Sequence, residues 1–68
     1  MTVGSQVKQT LAGLKSAQAT LKVYSIQSRS DEAQTVFSEA AATVGEIIDG
    51  MEERLKVLEF EEPQYRGF

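Results

Sequence analysis

Four acidic side chains in the second half of this chain have a spacing that could hold a divalent cation. Glu46, Asp49, Glu52 and Glu53 lie within two turns of a predicted helix, and carboxylate oxygens are the preferred ligands of Mg²⁺ and Ca²⁺. Metal sites inside helical bundles, however, combine inward-facing acids with histidine. The chain contains no histidine, and we predict that these acids face outward. We therefore expect no metal and no cofactor.

Covalent catalysis has no better support in the sequence. Without histidine or cysteine, no serine or threonine has a plausible base to activate it. The glycines are scattered and do not form a phosphate-binding loop. We predict that the protein is not an enzyme.

Length and charge exclude several further classes. A chain of 68 residues is at most one small domain. Its net charge of −3 argues against nucleic-acid binding, which needs a dominant positive patch. There is no apolar run long enough for a membrane span and no secretion signal at the N-terminus, so we expect a cytoplasmic protein.

Charge is segregated along the chain and repeats every seven residues. The first half contains no acid before Asp31, and its cations are Lys8, Lys15, Lys22 and Arg29. In the second half an acidic row has the same spacing: Glu32, Glu39, Glu46 and Glu53. A seven-residue repeat keeps side chains on one face of a helix that packs along a partner. We expect two helices of opposite charge, although direct salt bridges between these two rows do not follow from the spacing.

Apolar residues in both halves recur at spacings of three and four, which is typical of amphipathic helices. The first predicted helix covers 3–28, with an apolar face of Val3, Val7, Leu11, Leu14, Ala17, Leu21 and Tyr24. The second covers 31–60, with a main row of Phe37, Val44, Met51 and Leu58. Two flanking rows widen it: Ala33, Ala40 and Ile47 on one side, and Ala41, Ile48 and Leu55 on the other.

A turn at 29–30 separates the helices, and Ser30 is placed to cap the second helix through its hydroxyl. The fold we predict is an all-α antiparallel hairpin over residues 1–62. Its apolar faces are wider than a two-helix seam requires, so we expect a homodimer that forms a four-helix bundle. The predicted oligomer core is Val7, Leu11, Leu14, Leu21, Phe37, Val44, Ile47, Ile48, Met51, Leu55 and Leu58.

Two surfaces are candidates for other partners. The basic first helix resembles a membrane-surface helix, but its apolar face is needed for the bundle, so direct lipid binding is not expected. The segment 61–68 is a tail, because Pro63 disfavours helix at the preceding residue. Aromatic residues and arginine are favoured in binding hot spots, and Tyr65, Arg66 and Phe68 of the tail cluster with Phe60 just before it. These residues either bind a partner or cover the open end of the bundle.

Distinctive motifs occur at both ends of the chain: TVGSQVKQTLA at 2–12, LK at 14–15 and AQA at 17–19 at the start, and EEPQY at 61–65 with GF at 67–68 at the end. In these motifs the chain resembles a family of small uncharacterised proteins of spore-forming Firmicutes. At the turn, Ser30 and Asp31 stand where many relatives have Asp-Pro. The family has no assigned function, so the resemblance supplies no catalytic or ligand residues.

The resemblance also implies genomic neighbours: components of the spore inner-membrane channel for dipicolinic acid, and small integral membrane proteins. It suggests an accessory role at the spore membrane, in germination or heat resistance. Our first hypothesis is thus a non-enzymatic interaction module with a membrane-protein partner, in the cytoplasm or spore core and peripheral to the spore inner membrane. The alternatives are a ligand or metal carrier and a structural protein of the spore matrix.

Overall fold

The computed structural model describes residues 3–61 and contains two α-helices joined by a short turn. Helix α1 comprises Val3–Gln27 and helix α2 comprises Asp31–Glu61. The two helices pack against each other along their length, which confirms the predicted all-α hairpin. Within residues 3–61, neither helix has the length and apolar character that crossing a bilayer requires.

Side chains hold the turn by satisfying backbone groups at both helix ends. The Ser30 hydroxyl accepts a hydrogen bond from the Ala33 N–H at 3.1 Å, which is the predicted N-cap. The Ser28 N–H donates to the Tyr24 carbonyl at 2.9 Å and completes the end of α1. The Gln34 amide donates to the Ser28 carbonyl at 2.8 Å, so the start of α2 is tied directly to the end of α1.

The helices meet along a seam, defined here as the buried or partly buried positions that alternate by three and four on the facing sides. In α1 the seam is Gly4, Val7, Leu11, Leu14, Gln18, Leu21 and Ser25. In α2 it is Gln34, Phe37, Ala41, Val44, Ile48, Met51, Leu55 and Leu58. This regular alternation is the a and d pattern of a two-stranded coiled coil.

The seam differs from the predicted apolar faces in the row that accompanies each main row. In α1, Leu11 lies in the seam together with two polar residues, Gln18 and Ser25. The row that the sequence favoured, Val3, Ala17 and Tyr24, lies beside the seam, where Tyr24 is 48% exposed. In α2 the row of Ile48 lies in the seam, while Ile47 is 49% exposed. Apolar residue types favoured the wrong row in α1, because the correct row is half polar.

The half of the seam far from the turn is apolar. Leu11, Ile48 and Leu55 form its buried cluster. Partly buried side chains that pack against this cluster are Val7, Leu14, Val44 and Met51. Because burial of apolar area is the main favourable term in folding, the stabilisation of the hairpin is concentrated in this open half.

The half of the seam near the turn is held by polar contacts. The Gln18 amide donates to the Ala41 carbonyl at 3.2 Å, and the Ser25 hydroxyl donates to the Gln34 carbonyl at 3.0 Å. A Cβ on Gly45 would lie 2.7 Å from Gln18 Nε2, so the glycine gives the Gln18 side chain room to reach α2. These contacts favour the observed register of the helices. The same half buries Ala41, and the Tyr24 and Phe37 rings pack edge to face with centroids 5.5 Å apart.

We expect Ile48→Ala to lower the free energy of unfolding by about 3 kcal/mol, because truncating a buried isoleucine loses transfer energy and leaves a cavity. Ile26 is 81% exposed, and Ile26→Ala is the matched control, with an expected change within about 0.5 kcal/mol. Chemical denaturation at one fixed protein concentration measures both. Equal effects of the two substitutions would contradict the described seam.

We expect Gly45→Ala to be neutral or destabilising, because the gain in helix propensity of about 1 kcal/mol is offset by displacement of the Gln18 amide. In a Gln18→Ala background the same substitution should stabilise the hairpin by about 1 kcal/mol. A double-mutant cycle measured by denaturation isolates this coupling. Equal effects of Gly45→Ala in the two backgrounds would show that Gln18 does not occupy the space beside Gly45.

Candidate interaction surfaces

One broad side of the hairpin, called the charged face, carries ion pairs between the helices. Lys15 Nζ lies 3.1 Å from Glu52 Oε2, and Lys8 Nζ lies 3.7 Å from Glu59 Oε1. Each step of seven residues forward in α1 is matched by seven residues backward in α2, as an antiparallel pair requires. Because these side chains are partly exposed, each pair contributes about 0–1 kcal/mol, and the pairs act mainly to align the helices.

The ion pairs stop where the polar half of the seam begins. The next position after Lys15 in the repeat is Lys22, and the register of the pairs places it opposite Gly45. Lys22 forms no ion pair with a carboxylate of residues 3–61. Beside it is an open concavity of about 500 Å³, lined by Gln18, Lys22, Ser25, Ile26, Ser38, Ala41 and Ala42. It is a shallow surface groove that is open to solvent.

The opposite broad side, called the uncharged face, is made of the positions that flank the seam on its other edge. In α1 these are Val3, Gln6, Thr10, Gly13, Ala17, Thr20, Tyr24 and Gln27. In α2 they are Ala33, Val36, Ala40, Thr43, Ile47, Gly50, Arg54 and Val57. Arg54 is the only charged side chain among them. A second open groove, of about 590 Å³, runs from this side to the outer edge of α2 and is lined by Gly50, Glu53, Arg54, Val57 and Leu58.

The predicted acidic row forms the outer edge of α2, directly away from the seam. Glu32, Glu39, Glu46 and Glu53 are all exposed, and Glu53 lies 3.9 Å from Lys56 of the same helix. Lys8 and Lys15 of α1 pair instead with Glu59 and Glu52, which the sequence analysis did not identify as ion-pair partners. Their own seven-residue spacing, on the edge that faces α1, is the signal that identifies them.

Of the predicted partner-binding residues, the described part of the chain contains Phe60. Its side chain is 89% exposed near the end of α2, at the open end of the hairpin. Tyr65, Arg66 and Phe68 lie outside the described residues. Whether the aromatic group binds a partner or covers the bundle end therefore stays a prediction.

Most of the residues predicted for the oligomer core lie in the seam of the single hairpin. Ten of them, all except Ile47, occupy seam positions. Ile47 lies on the uncharged face. The wide apolar pattern of the sequence therefore combines two surfaces, a seam within the hairpin and a half-exposed row beside it.

The described residues contain no assembled metal site. Within 3–61, no group of three or more acidic side chains is arranged to hold a metal ion. Asp49 and Glu46 are exposed, while Glu52 faces Lys15. The four acids considered in the sequence analysis lie along the outer edge and the charged face of α2, and they do not form such a group.

Comparison with known proteins gives a family without a described activity. No curated protein and no solved structure matches the chain. A family model described as "Protein of unknown function (DUF1657)" matches residues 7–55, which include the turn, the polar half of the seam and most of its apolar half. The chain therefore belongs to the DUF1657 family of proteins of unknown function.

Proposed function

We propose that this protein is a non-enzymatic helical interaction module that works as a dimer. The observation that carries the proposal is the imbalance between a thin core and a large exposed apolar surface. None of the described side chains is fully buried, whereas Val36, Ile47, Val57 and Phe60 are among the exposed large hydrophobic residues. Small domains with so little core are usually stabilised by oligomerisation, disulfides or metals. The chain has no cysteine, so association with another helical surface is the remaining simple route.

The proposed assembly is a four-helix bundle of two hairpins. Antiparallel helix pairs with short connections are the usual units of such bundles. The hairpin is only 10 Å deep along its shortest axis, which is the thickness of a single layer of helices. A second layer supplies the second side of a core, as two-layer packing around one apolar core requires.

We further propose that the dimer is an accessory of a membrane-protein complex in spores. The support is the resemblance at the two ends of the chain, together with the exposed aromatic side chain of Phe60 at the open end. An exposed aromatic ring is a suitable anchor for a partner surface. The partner would bind at this end, away from the turn.

We expect a dimer with high helicity across a dilution series in light scattering coupled to size exclusion. Helicity, recorded by circular dichroism on the same samples, should fall together with the molar mass if the helices depend on association. A monomer with full helicity at all concentrations would contradict the proposed dimer. Native mass spectrometry of the same samples tests the carrier alternative, which predicts a bound ion or ligand.

We expect Phe60→Ser to abolish co-purification with components of the spore inner-membrane channel from detergent-solubilised spores, while the hairpin stays folded. Ile26→Ser is the matched control, because Ile26 is similarly exposed but lies at the turn end. Quantitative mass spectrometry of tagged protein captured from intact spores measures both. Equal channel recovery with the wild type and Phe60→Ser would contradict binding at the open end. Abundant protein without any membrane component would favour the spore-matrix alternative.

A further inference from the structure

The distribution of charge distinguishes the two broad sides of the hairpin. The charged face carries the ion pairs and Lys22, whereas the uncharged face has Arg54 as its only charged side chain. Most of the exposed large hydrophobic residues also lie on the uncharged face: Val3, Tyr24, Val36, Ile47 and Val57. Depletion of charge with retained apolar area is the composition of an interface core.

The interior glycines give a second, independent indication. Gly45 is explained within the hairpin by the approach of Gln18. A Cβ on Gly13 or Gly50 would meet nothing within 4 Å, although each glycine costs a helix about 1 kcal/mol relative to alanine. Both lie on the uncharged face, one in each helix. They are the positions where the backbone of an opposing helix can come closest.

We propose that the uncharged face is the dimer interface and that it binds the same face of a second copy of this chain. This inference rests on the proposed dimer and specifies its geometry. The hairpin is 48 Å long and 18 Å wide, so one face can bury roughly 800 Å² per partner, the size of a standard interface. The side chains of Ala17 and Ile47 lie near the middle of this contact.

Charge on the outer edges determines how the two hairpins are stacked. With the turns at opposite ends, each α2 lies over the partner's α2, and two acidic rows that include Glu39 and Glu46 run along the same edge. The two rows would then be about one helix layer, or roughly 8–10 Å, apart. This separation is close to the Debye length of about 8–10 Å in physiological salt, so the like charges would repel each other. With the turns at the same end, each α2 lies over α1 of the second copy, whose outer edge carries the uncharged Gln9, Ser16 and Val23. The proposed dimer therefore has both turns at one end.

The interface is tested with two exposed alanines of α1 that lie on opposite broad sides. Ala17→Glu places a charge in the proposed interface, where burial without a partner is costly, and should raise the dimer dissociation constant at least about tenfold. Ala19→Glu adds the same charge to the charged face and should leave the constant within about twofold. Ile47→Gln and its control Ile26→Gln repeat the comparison with larger residues. Each replaces an apolar side chain by a polar one of similar size. Sedimentation equilibrium measures the four variants and the wild type.

The stacking direction is tested by one distance. The chain has no cysteine, so Arg29→Cys allows a single spin label in the turn of each copy. Pulsed electron paramagnetic resonance measures the distance between the two labels. For turns at the same end this distance should be short, because it is set by the thickness of two helical layers. A distance close to the 48 Å length of the hairpin would overturn the proposed direction.

The outcomes distinguish the existence of the dimer from the location of its interface. A wild-type monomer at all concentrations overturns both the dimer and its interface. A wild-type dimer that Ala17→Glu leaves intact, or that Ala19→Glu weakens equally, overturns the interface and leaves the dimer standing. Weakening by Ala17→Glu and Ile47→Gln alone supports the uncharged face.

Discussion

The interlocking of two seven-residue repeats determines most of this structure. Leu11 of α1 and Ile48 and Leu55 of α2 form the buried cluster, and every other seam position follows from them by steps of three and four. Once these positions face each other, the exposed positions are fixed as well. The ion pairs of Lys8 and Lys15 then lie on one side of the seam and the half-exposed Ile47 on the other.

The polar half of the seam has a different role from the apolar half. Apolar a and d positions are similar from one heptad to the next, so they distinguish shifted pairings only weakly. The Gln18 amide on the Ala41 carbonyl and the Ser25 hydroxyl on the Gln34 carbonyl favour the observed pairing, because a shifted one would place other side chains beside these polar groups. The absence of a side chain at Gly45 is part of the same arrangement, because it gives Gln18 access to the backbone of α2.

The sequence was sufficient to predict two helices, a short turn and the Ser30 cap, because each depends on local periodicity and capping chemistry. It was not sufficient to choose the seam row in α1. There the competing rows were Leu11 with two polar residues and Tyr24 with other apolar ones, and only the position of α2 decides between them. The partners of Lys8 and Lys15 were missed for the same reason, since a pair across the seam depends on register. The candidate site was predicted only as a set of apolar residues, and the sequence did not separate Ile47 from Ile48.

The unequal halves of the seam also bear on how the chain folds. Contacts near the turn join residues close in sequence, such as Ser25 and Gln34, nine positions apart, but the buried cluster of Leu11, Ile48 and Leu55 lies further from the turn. Contacts at the open half join distant residues, such as Lys15 and Glu52, 37 positions apart, and this half contains Leu11 and Leu55 of the buried cluster. Loop-closure entropy is therefore lost before the compensating contacts form. Stepwise growth of the hairpin from its turn is disfavoured, and the transition state should already contain helix pairing near Leu11 and Leu55.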